Sequence, residues 1–318
     1  MIRPVAALTG GTGFLGRYVA RALHAAGWQV RLLVRRPPSQ PLLAELSPEF
    51  VQGDLGDRAA LERLVRGSTA VVHSAGLVRA RSQAEFDRVN RDGSAAVADA
   101  ARRMAPEARL LLVSSQAARA PEVSPYAASK HAGEIAFTDA AGPSSWVILR
   151  PPAIYGAGDT ATPALLKLAR SRFAPVPSGV EPRLGLIHAA DAAEAIAVFC
   201  GAEAPTGCRF ELCDARLDGY GWREILAICA AAQDRDPPFA LPVPDTGMLL
   251  AGRLADGWNG LFRRAGFFGT GKAREILHRD WRPDIHALPP TSLWKPRISA
   301  SDGFREMADW LRTHPGEG

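Results

Sequence analysis

The stretch Thr9-Gly10-Gly11-Thr12-Gly13-Phe14-Leu15-Gly16 decides how this chain folds. It follows an apolar run of strand length, Val5–Thr9, and leads directly into Leu15–Ala26, where apolar residues recur at helical spacing. A glycine triplet alone is weak evidence, but one set between a first strand and a first helix is far more specific. Gly10 permits a tight turn, Gly13 lets the backbone approach a pyrophosphate, and Gly16 lets helix and strand pack closely. The start of the helix adds free N–H groups and a partial positive charge. The loop therefore predicts a cradle for a dinucleotide, made by Gly10, Thr12, Gly13, Phe14, Leu15 and Gly16.

Beyond the loop, strand-like and helix-like segments alternate. Gln29–Val34, Phe50–Gln52, Ala70–Ser74, Leu110–Ser114 and Trp146–Leu149 read as strands buried on both faces; Ala59–Arg66, Phe86–Met104 and Tyr126–Ala140 read as helices. That order implies right-handed crossovers and an α/β fold, a Rossmann-type doubly wound parallel sheet. After Arg150-Pro151-Pro152 the regularity weakens and proline and glycine become frequent. The reading is a dinucleotide domain over 1–165 and a smaller, irregular C-terminal substrate lobe over 166–318. Leu184–His188 and Phe210–Leu212 are candidate strands returning to the first lobe.

Composition bounds the rest. The 318 residues are 47% hydrophobic and 22% charged, which is globular and sufficient for a large core. The net charge is +5, and no acid precedes Glu45 although six arginines do. A local anionic ligand explains that bias more economically than a nucleic-acid partner. The apolar runs are too short for a transmembrane helix, and the glycines and Arg17 break any signal-peptide pattern. Cys200, Cys208, Cys213 and Cys229 form no C-x-x-C pair, which predicts reduced thiols in a cytoplasmic protein. The histidines show no metal-binding spacing, so no metal site is expected.

The second strand ends Leu32-Leu33-Val34-Arg35-Arg36. An NAD site usually places an acid about twenty residues beyond the glycines, where it holds the ribose 2′-hydroxyl. Here Arg35 and Arg36 offer cations to a 2′-phosphate instead, which favours NADP(H) and leaves NAD(H) open. Asp54 and Leu55, after the third strand, would flank the adenine.

Tyr126 and Lys130 lie four residues apart on one helical face. Ser124 suits the N-cap and Pro125 the first helical position. A lysine beside a phenol is expected to lower its pKa and make it a usable general acid or base. The preceding strand ends at Ser114-Ser115, at the carboxyl edge of the sheet where crevices of such folds lie.

These residues resemble an extended short-chain dehydrogenase/reductase of the NAD-dependent epimerase/dehydratase superfamily, and the likeness covers nearly the whole chain. It rests on Thr9–Gly16, Asp54-Leu55, Val72–Gly76, Val89–Gly93, Ser114-Ser115, Tyr126–Lys130, Arg150-Pro151, Ile154-Tyr155-Gly156 and Ile187–Asp191. The resemblance implies an oxidoreductase in which Tyr126 moves the proton, Lys130 tunes it and holds the nicotinamide ribose, and Ser115 polarises the carbonyl. It places Ser74, Ala75, Gly76 and Asn90 beside the cofactor, and Pro151 to Ile154 along the nicotinamide pocket. Nucleotide-sugar dehydratases of the family carry acids after the strand where this chain has Ser115, Gln116 and Ala117, so dehydration is disfavoured.

The C-terminal lobe should choose the substrate. Met248 to Phe268 reads as a basic amphipathic helix that either packs on its own domain, lids a lipophilic pocket or rests on a membrane surface. Lys272–Trp281 is similar to the tail of 3β-hydroxysteroid dehydrogenase-like members. Together with dihydroflavonol reductase-like members, these point to a small lipophilic alcohol or ketone, sterol-like or isoprenoid-like. A nucleotide-sugar epimerase and a non-catalytic dinucleotide-binding assembly subunit remain the alternatives. In many similar proteins the two long helices form a homodimer interface, which is left open here.

Overall fold

A computed structural model describes residues 3–36, 45–261, 266 and 268–314. Seven parallel strands form the central sheet. In chain order they are β1 (Val5–Thr9), β2 (Gln29–Val34), β3 (Glu49–Gln52), β4 (Ala70–His73), β5 (Arg109–Val113), β6 (Trp146–Arg150) and, much later, β11 (Cys208–Glu211). Their spatial order is β11-β6-β5-β4-β1-β2-β3. The order reverses between β1 and β4, and an open sheet of this kind presents its crevice there, beyond the carboxyl ends of the strands.

Side chains alternate across the sheet, and both faces are apolar. Ala6, Leu8, Val30 and Leu32 pack with helix α1 (Phe14–Ala25) and helix α6 (Ala189–Phe199). Ala7, Leu33, Val71, Leu110 and Ile148 face the other way, against α2 (Arg58–Val65), α3 (Gly93–Met104) and α4 (Pro125–Ala141). Continuous burial on two faces is what the near-uninterrupted runs of Val, Leu and Ala encode. The helix expected over Phe86–Met104 contains a π-turn, Asp87–Asp92, before α3. A Cβ on Gly133 of α4 would sit 2.4 Å from the Asn90 carbonyl oxygen, so α4 presses directly on that turn.

Two expectations need correction. Leu184–His188 does not return to the central sheet. Its first residue closes β9 (Arg183–Leu184), and its last three form β10 (Leu186–His188) and pair with β7 (Ala153–Tyr155) in a separate two-stranded sheet. The edge of β6 is taken by β11, which leaves β10 no partner there. The helix expected over 248–268 begins earlier and stops sooner, as α8 (Asp245–Leu261). Residues 262–265 and 267 of that stretch lie outside the described residues, and Gly266 and Phe268 are not helical.

A third apolar cluster underlies the C-terminal region. Tyr155, Leu186 and Tyr220 meet α5 (Pro163–Ala169), α7 (Trp222–Ala231) and α10 (Ala300–Thr313). Asp191, buried at the start of α6, accepts the backbone N–H groups of Arg297 and Ile298 and so anchors the approach to α10. Among the described residues no helix is long and apolar enough to cross a membrane.

Candidate active site

The glycine loop is shaped by close contacts. Gly10 has φ +76°, and a Cβ there would fall 2.6 Å from the amide nitrogen of Ala75. A Cβ on Gly16 would lie 1.9 Å from the Gly10 carbonyl oxygen. Gly11 is constrained as well, because its Cβ would meet the Leu32 side chain at 2.6 Å; the sequence reading gave it no role. Gly13 is exposed and N-caps α1 without any side-chain hydrogen bond. The first-turn donors of α1, from Phe14 and Leu15 onward, are thus presented beside the exposed Thr12 and not covered by a cap. This cradle fits the pyrophosphate of a dinucleotide.

Thr9 ties the cradle to the exit of β4. Its Oγ1 accepts from the Ala75 N–H at 3.3 Å and lies 2.7 Å from His73 Nδ1. Burial, with a smaller contribution from the Lys130 charge, pushes the His73 imidazole down to about 3, so it is neutral. The turn Ser74-Ala75-Gly76 is then fastened by Asn90. That buried side chain accepts from the Leu77 N–H at 2.8 Å and donates to the Leu77 carbonyl at 3.0 Å and to Ser129 Oγ at 2.8 Å. A Cβ on Gly76 would lie 3.1 Å from Asn90 Oδ1, which explains a glycine at this position.

Arg35 and Arg36 are exposed at the carboxyl end of β2. The Asp54 carboxylate accepts from the Gly56 N–H at 2.8 Å, and Leu55 packs on Gly93 of α3. Pro151 is buried, its carbonyl accepting from the Gln116 N–H at 2.9 Å, and Ile154 is half-buried against the first core.

Helix α4 carries the chemistry-bearing pair. Ser124 Oγ accepts from the Ala127 N–H at 3.0 Å as N-cap, and Pro125 occupies the first turn. Tyr126 thereby opens the helix, and Lys130 follows one turn later on the same face. Lys130 Nζ donates to the Val113 carbonyl at 2.9 Å. Ser115 caps the short turn Gln116–Arg119 and hydrogen-bonds the Tyr126 side chain. The Phe86 ring stands 6.2 Å from that of Tyr126. Ser115, Tyr126, Lys130 and Asn90 therefore converge beside the β4 and β5 exits.

The electrostatics differ from the expectation that the lysine would lower the phenol. Burial is the largest influence and pushes Tyr126 up to about 12, with the Ser115 hydrogen bond opposing and the Glu275 charge adding to the rise. Lys130 is spent on a carbonyl, and burial pulls it down to about 8 against the opposing pull of Glu134. The pair is a protonated phenol beside an ammonium of weakened basicity. That arrangement can give a proton to a carbonyl oxygen at neutral pH.

Several supporting residues escaped the sequence reading. Glu134, one turn after Lys130, is buried and holds Arg150 in a two-armed ion pair while accepting from Ser114 Oγ at 2.5 Å. Its spacing from Lys130 was the available signal. Glu275, on α9 (Thr270–Leu277), accepts from Ser124 Oγ at 2.5 Å across 151 residues, and no local pattern announces it. Glu211 at the end of β11 gathers Gln116 Nε2, Arg119 Nη1 and the Asp284 N–H. His188 N-caps α6 through the Ala190 N–H, and no cluster able to hold a metal occurs among the described residues.

Residues 6–212 match the model of the NAD dependent epimerase/dehydratase family, and the chain belongs to that family. With reductase-named relatives, it is an NAD(P)-dependent oxidoreductase of the extended short-chain dehydrogenase/reductase type. It is 47% identical over 311 residues to a protein of Caulobacter vibrioides named ceramide reductase, covering 98% of this chain and 95% of the relative. It is 34% identical over 184 residues to a Stigmatella aurantiaca 4-hydroxy-2-methyl-3-oxo-4-farnesyl-3,4-dihydroquinoline-1-oxide ketoreductase, covering 52% of this chain and 55% of that one. Among solved structures, a Bifidobacterium longum UDP-glucose 4-epimerase in complex with NAD+ and UDP matches with TM-score 0.70 at 18% identity, over 99% of this chain and 100% of that one. At that identity the likeness is one of fold.

Proposed function

We propose that this chain reduces the ketone of a ceramide-like lipid to a secondary alcohol, with NADPH as the hydride source. The observation that carries this is the extent of the likeness to the Caulobacter protein, which runs through the C-terminal lobe as well as the dinucleotide domain. A ceramide is an N-acylated long-chain amino alcohol. Its amide does not accept a hydride from a nicotinamide, so the reducible form carries a ketone in place of the alcohol.

When bound, the cofactor supplies the hydride to the carbonyl carbon. Ser115 Oγ hydrogen-bonds the carbonyl oxygen and aligns it. Tyr126 Oη gives its proton to that oxygen as negative charge develops, which balances the reaction: ketone, hydride and proton yield the alcohol. Lys130 keeps a positive charge close to the phenolate formed on Tyr126, and Asn90 holds the turn 74–77 in place beside it. Arg35 and Arg36, exposed at the end of β2, would receive the 2′-phosphate, and their presence where an NAD site carries an acid supports NADPH over NADH.

Consumption of NADPH with a panel of ketones tests the reading. A long-chain N-acylated amino ketone should turn over, and UDP-glucose should give neither turnover nor epimer. Tyr126→Phe should lower kcat by roughly 10²–10⁴-fold with NADPH binding retained. Full activity in that variant would overturn the proton assignment, and inactivity on every lipid ketone would overturn the substrate class.

A further inference from the structure

We propose that the C-terminal lobe docks on a bilayer surface containing anionic lipid, through the exposed stripe of α8 and the Phe173–Phe239 face. The inference rests on the lipid-ketone reading above and says where such a substrate is met.

Helix α8 exposes Leu250, Leu254 and Trp258, with relative exposures of 57%, 68% and 67%. At spacings of four residues they share one face of the helix. Scattered apolar side chains on a surface need no explanation, but an aligned row of large ones does. This row stands one helix away from the reacting residues. Asp256 of α8 accepts from the Thr270 N–H of α9 at 2.9 Å, and a Cβ on Gly252 would lie 3.0 Å from the Thr270 backbone. Helix α9 in turn abuts the start of α4, where Glu275 accepts from Ser124 Oγ and Gly271 approaches Pro125. Tyr126 is the next residue.

A second exposed apolar patch lies on the strand pair whose later strand ends just before α8 in the chain. Strands β8 (Phe173–Pro177) and β12 (Phe239–Val243) pair in parallel, with Phe173 opposite Phe239 and their rings 6.0 Å apart. Both rings are more than half exposed, and Leu241 follows Phe239 on the same side of the strand. The Arg172 guanidinium lies 5.3 Å above the Phe173 ring. The cleft beside it brings Arg170, Arg172 and Arg235 together with Asp234 and Asp236. Asp234 is paired with Arg305, so the rim keeps a positive surplus.

Exposed leucine and tryptophan on α8, with phenylalanine and arginine on the strand pair before it, make the composition of a surface that lies in the headgroup layer. The arginines complement anionic headgroups. A symmetric pairing would bring the same net-positive patch of two copies together, which like charge opposes. A lipid with two long chains leaves a bilayer at high cost, so a reductase that acts on it gains from meeting it there.

Co-sedimentation of the full chain with vesicles tests this. The probes are vesicles of phosphatidylcholine alone and of phosphatidylcholine with phosphatidylglycerol. Binding should favour the anionic vesicles. Two variants, Leu250→Ser with Leu254→Ser and Trp258→Ser, and Phe173→Ser with Phe239→Ser, should each weaken partitioning by about tenfold or more. Circular dichroism and turnover of a short-chain, water-soluble ketone should be unchanged in both, which separates lost docking from lost folding. No vesicle binding by the parent chain, equal binding by the variants, or a dimer that the variants dissociate would each overturn the proposal. Turnover of the short-chain ketone without vesicle binding would sink the docking surface and leave the reductase standing. Vesicle binding without turnover of any ketone would sink the reductase reading on which the inference rests.

Discussion

Arg150 grips the Glu134 carboxylate with two arms, Nε to Oε1 at 2.8 Å and Nη2 to Oε2 at 2.7 Å. The pair joins the end of β6 to the middle of α4, and Ser114 Oγ adds a third hydrogen bond from the end of β5. Lys130 lies one turn before Glu134 on the same helix. The carboxylate therefore holds three elements in register and supplies a negative charge that partly offsets the burial lowering Lys130.

Removing it should cost both stability and basicity. Glu134→Ala leaves the half-buried Arg150 without its partner, and urea unfolding should show a loss of about 3 kcal/mol. Glu134→Gln keeps the shape and part of the hydrogen bonding, so it should destabilise less. In both variants the alkaline limit of activity should move to lower pH, because the charge supporting the Lys130 ammonium is gone. An unchanged limit in a folded Glu134→Gln protein would show that Lys130 does not depend on this carboxylate.

The pH dependence of the parent enzyme follows from the same residues. Burial depresses Lys130 to about 8, so its ammonium is present below that pH and lost as pH rises through it. Tyr126, raised to about 12, keeps its proton across the same range. The state competent for reduction is the neutral phenol with the charged lysine. Reductive kcat/KM should thus be level below about pH 8 and fall roughly tenfold per unit above it, as expected for one essential proton. A profile that stayed level to about pH 10, near the ordinary lysine value, would refute the assignment to Lys130.

Sequence and structure agree where the constraint is local. Gly10, Gly13 and Gly16 are legible because each answers a backbone contact within a few residues or at the neighbouring strand exit, whereas Gly11 answers a Leu32 side chain that only the folded sheet brings to it. The start of α4 is legible because Ser124 and Pro125 are chemically suited to the first turn of a helix. The π-turn at Asp87–Asp92 was not legible, since one extra residue in a helical path leaves the apolar periodicity nearly intact. Neither was Glu275 on Ser124 nor β10 against β7, because such pairings are decided by which edges and caps the rest of the chain leaves available. The Tyr126 expectation failed for a related reason: a Tyr–Lys spacing says nothing about how deeply the phenol is buried.

Cofactor choice should reside at the end of β2. Arg35 and Arg36 are exposed there and stand where an NAD site would carry an acid. Exposed charge pairs are weakened by solvent to about 1 kcal/mol each, so Arg35→Ala with Arg36→Ala should raise the KM for NADPH by roughly 10–100-fold. The KM for NADH should barely move, since no 2′-phosphate is lost. Steady-state kinetics with both cofactors would check this, and equal losses for NADH and NADPH would remove the arginines from the discrimination.

The loop itself yields the last prediction. A methyl group on Gly16 would lie 1.9 Å from the Gly10 carbonyl oxygen and 2.8 Å from the Gly11 Cα. These neighbours are backbone, and the turn they belong to is already pinned by the Thr9–Ala75 and Thr9–His73 contacts. The chain can relieve the clash only by moving α1 away from β1 or by opening the cradle. Gly16→Ala should therefore destabilise by about 1–3 kcal/mol, as overpacking does. NADPH affinity should fall in the same variant, because the first-turn N–H groups move with the helix. Gly257→Ala is the matched control: it lies within α8, with nothing within 4 Å of its added Cβ. There the helix propensity of alanine should stabilise by up to about 1 kcal/mol. Thermal unfolding and fluorescence titration with NADPH measure both effects, and a Gly16→Ala protein with parental stability and affinity would show that the close approach is not required.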